Sequence, residues 1–152
     1  LAAVPLEVVM RSLEELFEET ASDLKLIEDD LVRESLRTPY LYDKYLKEHT
    51  LAGLELKRLE NDYNELLMNK TEYYLGKSPK EVYDEKPFDR VVIKSDLSVY
   101  LDADPELRVL DEMREYASAR KDFLNKTLTG ISNRQWNIKN AIEWNKFLNG
   151  AN

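Results

Sequence analysis

Apolar residues recur along this 152-residue chain at helical spacing in three separate runs. The first is Leu13, Leu16, Phe17 and Leu24. It follows Ser12-Leu13-Glu14-Glu15, which reads as a capping box in which Ser12 and Glu15 satisfy each other's backbone amides. Asp29-Asp30-Leu31 to Leu36 predicts either a second short helix or a continuation of the first.

Thr38-Pro39 predicts the start of a long helix, with a capping hydroxyl followed by proline at the first helical position. From Tyr40 to Leu75 no proline intervenes and the only glycine is Gly53. Tyr45, His49, Ala52, Leu56, Leu59, Tyr63, Leu66, Lys70 and Tyr73 alternate spacings of four and three, a heptad seam. A helix over 40–75 would be about 50 Å long at 1.5 Å per residue. Such a rod cannot bury its own seam, so it needs partner helices. Gly76 is the expected stop.

Residues 77–104 read differently. Pro79, Pro87, many charges and the run Arg90-Val91-Val92-Ile93-Lys94 predict an extended connector with one short strand. Asp104-Pro105-Glu106 then opens a further helix. Its stripe is Leu107, Leu110, Ala117, Leu124, Leu128, Ile131, Ile138 and Ile142, widened by Val109, Met113, Tyr116 and Phe123. Gly130 either breaks this helix or sits inside it at a cost of about 1 kcal/mol relative to alanine. Trp136, Trp144 and Phe147 add large aromatics near the end. Four glycines and five prolines suit long uninterrupted elements, and the expected fold class is mainly α.

Composition narrows the chemistry. An apolar share of 43% supports a modest core or a subunit interface, while 34% charged residues imply much solvated surface. There is no cysteine, which removes disulfides, zinc ribbons and thiol nucleophiles. No run approaches the roughly 20 apolar residues of a membrane helix, so no membrane partner is expected. Residues 1–9 are mildly apolar without the marks of a signal peptide, and Met10 reads as a start, so they are expected to be a leader or extension outside the fold.

The net charge of −8 disfavours nucleic acid in sum but not in distribution. Residues 1–40 carry ten acids against four bases, and 81–104 carry seven against three. From Arg114 to Lys139 there are six bases and two acids. A symmetric assembly gathers such stretches onto one face, which leaves phosphate binding open. His49, the only histidine, lies in the seam without a second ligand nearby. Asp29-Asp30 reads as a solvated face and Asp102-x-Asp104 as helix capping. Gly53, Gly76, Gly130 and Gly150 are isolated, so no phosphate-cradling loop exists, and no nucleophile–base pair is recognisable. Neither enzyme activity nor a cofactor nor a metal site is expected.

Four segments carry a resemblance. Met10-Arg11-Ser12-Leu13-Glu14-Glu15-Leu16 and Tyr42-Asp43-Lys44-Tyr45-Leu46-Lys47-Glu48-His49 are the first two. Thr71-Glu72-Tyr73-Tyr74-Leu75-Gly76 and Arg134-Gln135-Trp136-Asn137-Ile138-Lys139, followed by Ile142, Phe147 and Gly150, complete them. In order and separation, over roughly residues 10–150, the chain resembles the UvsY family of phage recombination mediators. The resemblance implies ring-like homo-oligomers formed through C-terminal helices, binding of single-stranded DNA and displacement of single-strand binding protein. It also implies stabilisation of a RecA-like, UvsX-type recombinase as it nucleates, in the cytoplasm of an infected bacterium. Of the family's basic pair before the paired tyrosines only Lys70 is kept, because Met68 takes the other place.

On this reading residues 10–104 contact DNA and 105–152 oligomerise. Lys70, Tyr73, Tyr74, Lys77 and Lys80, with Lys57 and Arg58 earlier on the helix, are the candidate DNA site, in which cations meet phosphates and a tyrosine stacks on a base. The plainer reading makes Tyr73 a seam residue and the lysines a solvated helix end. Leu107, Leu110, Leu124, Leu128, Ile131, Trp136, Ile138 and Ile142 are the candidate oligomerisation residues. Arg120, Lys121, Lys126, Arg134 and Lys139 either line a ring surface or pair with acids of neighbouring subunits, worth roughly 0–1 kcal/mol each when exposed. A coiled-coil scaffold without a nucleic-acid role is the alternative.

Overall fold

The computed structural model describes residues 11–150, so the expected leader at 1–9 and the start at Met10 lie outside the described residues. The helices are α1 (Leu13–Asp23), α2 (Leu31–Tyr74), α3 (Lys80–Glu85), α4 (Leu97–Asp102) and α5 (Pro105–Leu148), with a 3-10 turn at Glu28–Asp30 before α2. Among the described residues there is no strand.

The local signals explain most boundaries. At α1 the capping box forms, with Ser12 Oγ accepting from the Glu15 amide at 3.1 Å and Glu15 Oε2 accepting from the Ser12 amide at 2.9 Å. Helix α2 stops at Gly76, whose φ of 76° only glycine adopts cheaply. There the Lys77 amide donates to Glu72 O at 2.9 Å and the Gly76 amide to Tyr73 O at 3.2 Å, a Schellman closure. Asp104 caps α5 by accepting from the Glu106 and Leu107 amides, each at 3.0 Å.

Helix α2 starts earlier than expected. Its first turn is capped by Asp30 Oδ1, which accepts from the Arg33 amide at 3.1 Å, and the helix runs through Pro39. An interior proline costs about 3 kcal/mol through its missing N–H and its clash with the preceding turn. Ser35, whose carbonyl loses that partner, is exposed and meets water. One residue earlier, the Glu34 carbonyl accepts from Arg134 Nη1 at 2.8 Å and from the Thr38 hydroxyl at 3.3 Å. This tertiary clamp holds the turn helical.

The connector also differs from expectation. Val92 is buried, but Arg90, Val91, Ile93 and Lys94 are all exposed, so the run lacks the alternation of a strand and is anchored by one side chain. The run forms no strand ladder among the described residues, and the Ile93 carbonyl accepts from the Asp96 amide at 3.0 Å in the turn that leads into α4. Two short helices, α3 and α4, occupy much of the rest.

Two compact units result, and α2 and α5 each supply residues to both. The first comprises the described residues 11–53 and 119–150. Leu16, Leu41, Tyr45, Ala52, Leu124, Leu128 and Ile131 form its core, with Leu24 and Phe123 packed against it. Phe17 meets Phe123 edge to face at 4.8 Å. Arg134 and Glu34 form a buried ion pair in this unit, and Arg37 Nη1 lies 3.2 Å from Glu34. The second unit, 54–118, buries Leu59, Val92, Leu107 and Ala117. Within each unit, α2 and α5 run antiparallel, so residues far apart in sequence pack together.

Gly130 lies inside an unbroken α5 with nothing within 4 Å of a Cβ placed there. Gly130→Ala is therefore expected to stabilise the protein by about 0.5–1 kcal/mol, through the lower entropy of the unfolded chain. Denaturant unfolding at fixed protomer concentration measures it, and a loss of stability would show that Gly130 is needed for something other than helix continuity.

Candidate nucleic-acid interface

Within the second unit, the end of α2, the connector and the start of α5 converge on two carboxylates. Asp104 is 2% exposed. Its Oδ1 caps α5, and its Oδ2 accepts from the Tyr74 hydroxyl at 2.7 Å and lies 3.1 Å from Lys70 Nζ. Glu106 is about half exposed, and its Oε1 lies 3.4 Å from Lys70 Nζ and 2.7 Å from Lys86 Nζ. Burial pushes the Asp104 carboxyl up, but the Tyr74 hydroxyl, the Leu107 amide and Lys70 together outweigh it and hold it below its ordinary range. Glu106 is held low by its hydrogen bond from Lys86 and then by the charge of Lys70. Burial and then Asp104 push the Tyr74 phenol up, keeping it a donor.

The paired tyrosines belong to an aromatic cluster. Tyr73 stacks on Tyr83 at 5.4 Å and 15°, and it also contacts Tyr74 and Phe88. Tyr74 contacts Phe88 and Tyr100. The Tyr73 hydroxyl donates to Lys86 O at 3.0 Å, and the Tyr83 hydroxyl donates to Tyr73 O at 2.8 Å. These rings spend faces and hydroxyls fastening the connector to the end of α2.

The candidate cations divide into two groups. Lys70 is largely covered and paired with Asp104 and Glu106. Arg58 is exposed and paired with Glu55 at 2.7 Å. Lys57, Lys77 and Lys80 are exposed and make no ion pair among the described residues. Lys86 escaped the sequence reading because it lies in an aperiodic connector and reaches Lys70 only through tertiary packing. Asp104 and Glu106 were legible as a helix start but not as charge partners.

On α5, Leu107, Leu124, Leu128, Ile131 and Ile138 are buried by their own chain, and Leu110 and Ile142 are half-buried. Trp136 alone of the eight candidate oligomerisation residues is exposed, at 57%. It shares exposure with Trp144, Phe147 and Leu148, and Trp144 stacks on Phe147 at 5.5 Å. Of the bases, Arg134 and Arg120 are buried, Arg114 lies over the Tyr63 ring at 4.0 Å, and Lys139 lies over Trp136 at 5.6 Å. Among the described residues no cluster of histidines or acids is suited to a metal ion. No helix among them is long and apolar enough to cross a membrane.

A family model described as recombination, repair and ssDNA binding protein UvsY matches residues 19–151. The chain belongs to the UvsY family. It is 29% identical over 138 residues to the recombination protein uvsY of Enterobacteria phage T4, covering 91% of this chain and 98% of that one. Two crystal structures of the bacteriophage T4 recombination mediator protein UvsY share its fold. One, lattice type II, has a TM-score of 0.81 at 27% identity, covering 90% of this chain and 97% of the other. The second, lattice type IV, has a TM-score of 0.78 at 25% identity, covering 90% and 98%. UvsY membership makes this a recombination, repair and single-stranded DNA binding protein, and the helical fold expected from sequence is the family's.

Proposed function

We propose that this chain acts as a recombination mediator. It binds single-stranded DNA as a ring-like homo-oligomer and promotes loading of a RecA-like, UvsX-type recombinase onto strands covered by single-strand binding protein, in the host cytoplasm. The UvsY match over nearly the whole chain carries this reading. Exposed cations at Lys57, Lys77 and Lys80 supply phosphate contacts, with Arg58 and Lys70 available after exchange of Glu55 and Glu106. Tyr73 and Tyr74 fasten the connector to the end of α2, next to Lys77 and Lys80, while Lys57 and Arg58 lie about 25 Å back along the same helix. Exposed Trp136, Trp144, Phe147 and Leu148 supply apolar surface for sister chains. Each DNA contact is weak, and joining several in one assembly raises avidity by orders of magnitude while leaving every contact labile. A mediator must release the strand it presents, which suits such contacts.

The test is fluorescence anisotropy with a labelled oligothymidine across a salt series, beside a recombinase filament assay on strands covered by single-strand binding protein. Affinity should fall with salt at a slope of about 0.7 per phosphate contact. Replacing Lys57, Lys77 and Lys80 together with alanine is expected to weaken binding at least tenfold and to flatten that slope. Absence of binding at low salt, or no shortening of the filament lag, refutes the proposal.

A further inference from the structure

The connector brings a second ammonium group to Lys70, and both converge on one oxygen. Glu106 Oε1 lies 2.7 Å from Lys86 Nζ and 3.4 Å from Lys70 Nζ. An anionic oxygen between two ammonium groups is how a phosphate is gripped by lysines, so the carboxylate stands where a phosphate oxygen would sit. We propose that Lys70 and Lys86 form a seat for one backbone phosphate of single-stranded DNA, and that Glu106 occupies it until a phosphate displaces it. This rests on the single-stranded DNA reading above and adds Lys86 and Glu106 to it.

The two carboxylates beside Lys70 are not equivalent. Asp104 is buried, caps two amides of α5 and accepts from Tyr74, so it cannot leave without uncapping the helix. Glu106 is about half exposed, and among the described residues its carboxylate engages only the two lysines, so a side-chain rotation frees it. Asp104 thus keeps Lys70 in place while Glu106 is the exchangeable anion. A cavity of about 220 Å³ opens beside them, lined also by Asn69, Tyr73, Val82 and Glu85. That is several times the roughly 30 Å³ share of a water molecule, room enough for a phosphate group. Lys86 is positioned through its own carbonyl, which accepts from the Tyr73 hydroxyl at 3.0 Å. The aromatic cluster therefore anchors the backbone from which the Lys86 side chain reaches Glu106.

An ionised Glu106 competes with the incoming phosphate and keeps the seat weak. Glu106→Gln retains size and removes the competing charge. It is expected to tighten oligothymidine binding about fivefold at low salt and to steepen the salt dependence by about 0.7, one added phosphate contact. Lys86→Met should weaken binding and abolish the gain when combined with Glu106→Gln. Glu81→Gln, the same charge change at an exposed acid of α3, serves as the control. A gain confined to Glu106→Gln and dependent on Lys86 supports the seat. Unchanged affinity in Glu106→Gln, an equal gain in Glu81→Gln, or a gain that survives Lys86→Met overturns it while wild-type binding still upholds the DNA reading. Failure of the wild-type chain to bind at all overturns that reading itself. Circular dichroism on each variant verifies that α5 is intact.

Discussion

Arg134→Ala is expected to destabilise the protein by about 3–5 kcal/mol, enough to leave much of the chain unfolded at physiological temperature. Glu34 is fully buried, and Arg134 Nη2 is its partner from α5. Without that guanidinium the Glu34 carboxylate keeps, among the described residues, only Arg37, about one-third exposed and 3.2 Å away. The loss extends to the backbone, because Arg134 Nη1 also donates to the Glu34 carbonyl at 2.8 Å and to the Thr38 hydroxyl at 3.1 Å. Those bonds brace α2 just before Pro39. Denaturant unfolding at a fixed protomer concentration measures the effect, since subunit association otherwise shifts the apparent value. The double variant Glu34→Leu with Arg134→Met should recover most of the loss, because two apolar side chains leave no buried charge unpaired. A change under 1 kcal/mol in Arg134→Ala would mean that the pair is not buried in solution.

Leu124→Ala is the second large effect, expected at about 2–5 kcal/mol. Leu124 is fully buried in the first unit's core with Leu16, Leu41 and Tyr45. Removing its branched end leaves a cavity among α1, α2 and α5 that their packed backbones close only in part. Trp144→Ala should behave in the opposite way. Trp144 is 60% exposed and contacts Phe147, so its loss should change protomer stability by under 1 kcal/mol while reducing self-association in the proposed ring. Unfolding curves read the first effect, and sedimentation velocity reads the second. If Leu124→Ala dissociated the assembly and left stability unchanged, the sequence-based placement of Leu124 in an interface would stand instead.

Much of the fold was legible from local chemistry. Ser12 with Glu15, Gly76 after α2 and Asp104-Pro105 before α5 act within a few residues of themselves, so sequence shows them directly. The seam from Tyr45 to Tyr73 was also legible: Tyr45, Ala52 and Leu59 are buried, the other members are half-buried, and none is exposed. Periodicity reports which face is apolar. It does not report what covers that face, which is why Leu124, Leu128 and Ile131 read equally well as an interface and as a core.

The sequence by itself determined that the chain is mainly helical, that α1 and α5 begin at Ser12 and Asp104, that α2 ends at Gly76, which faces are apolar, and that its segments resemble the UvsY family. Each of these depends on neighbours three or four residues apart or on the order of motifs. Tertiary structure alone decided that α2 passes through Pro39, that Arg134 is a buried partner of Glu34, and that Lys86 meets Lys70 across Glu106. In each case the deciding contact joins residues 16 to 100 positions apart, and no local propensity encodes it.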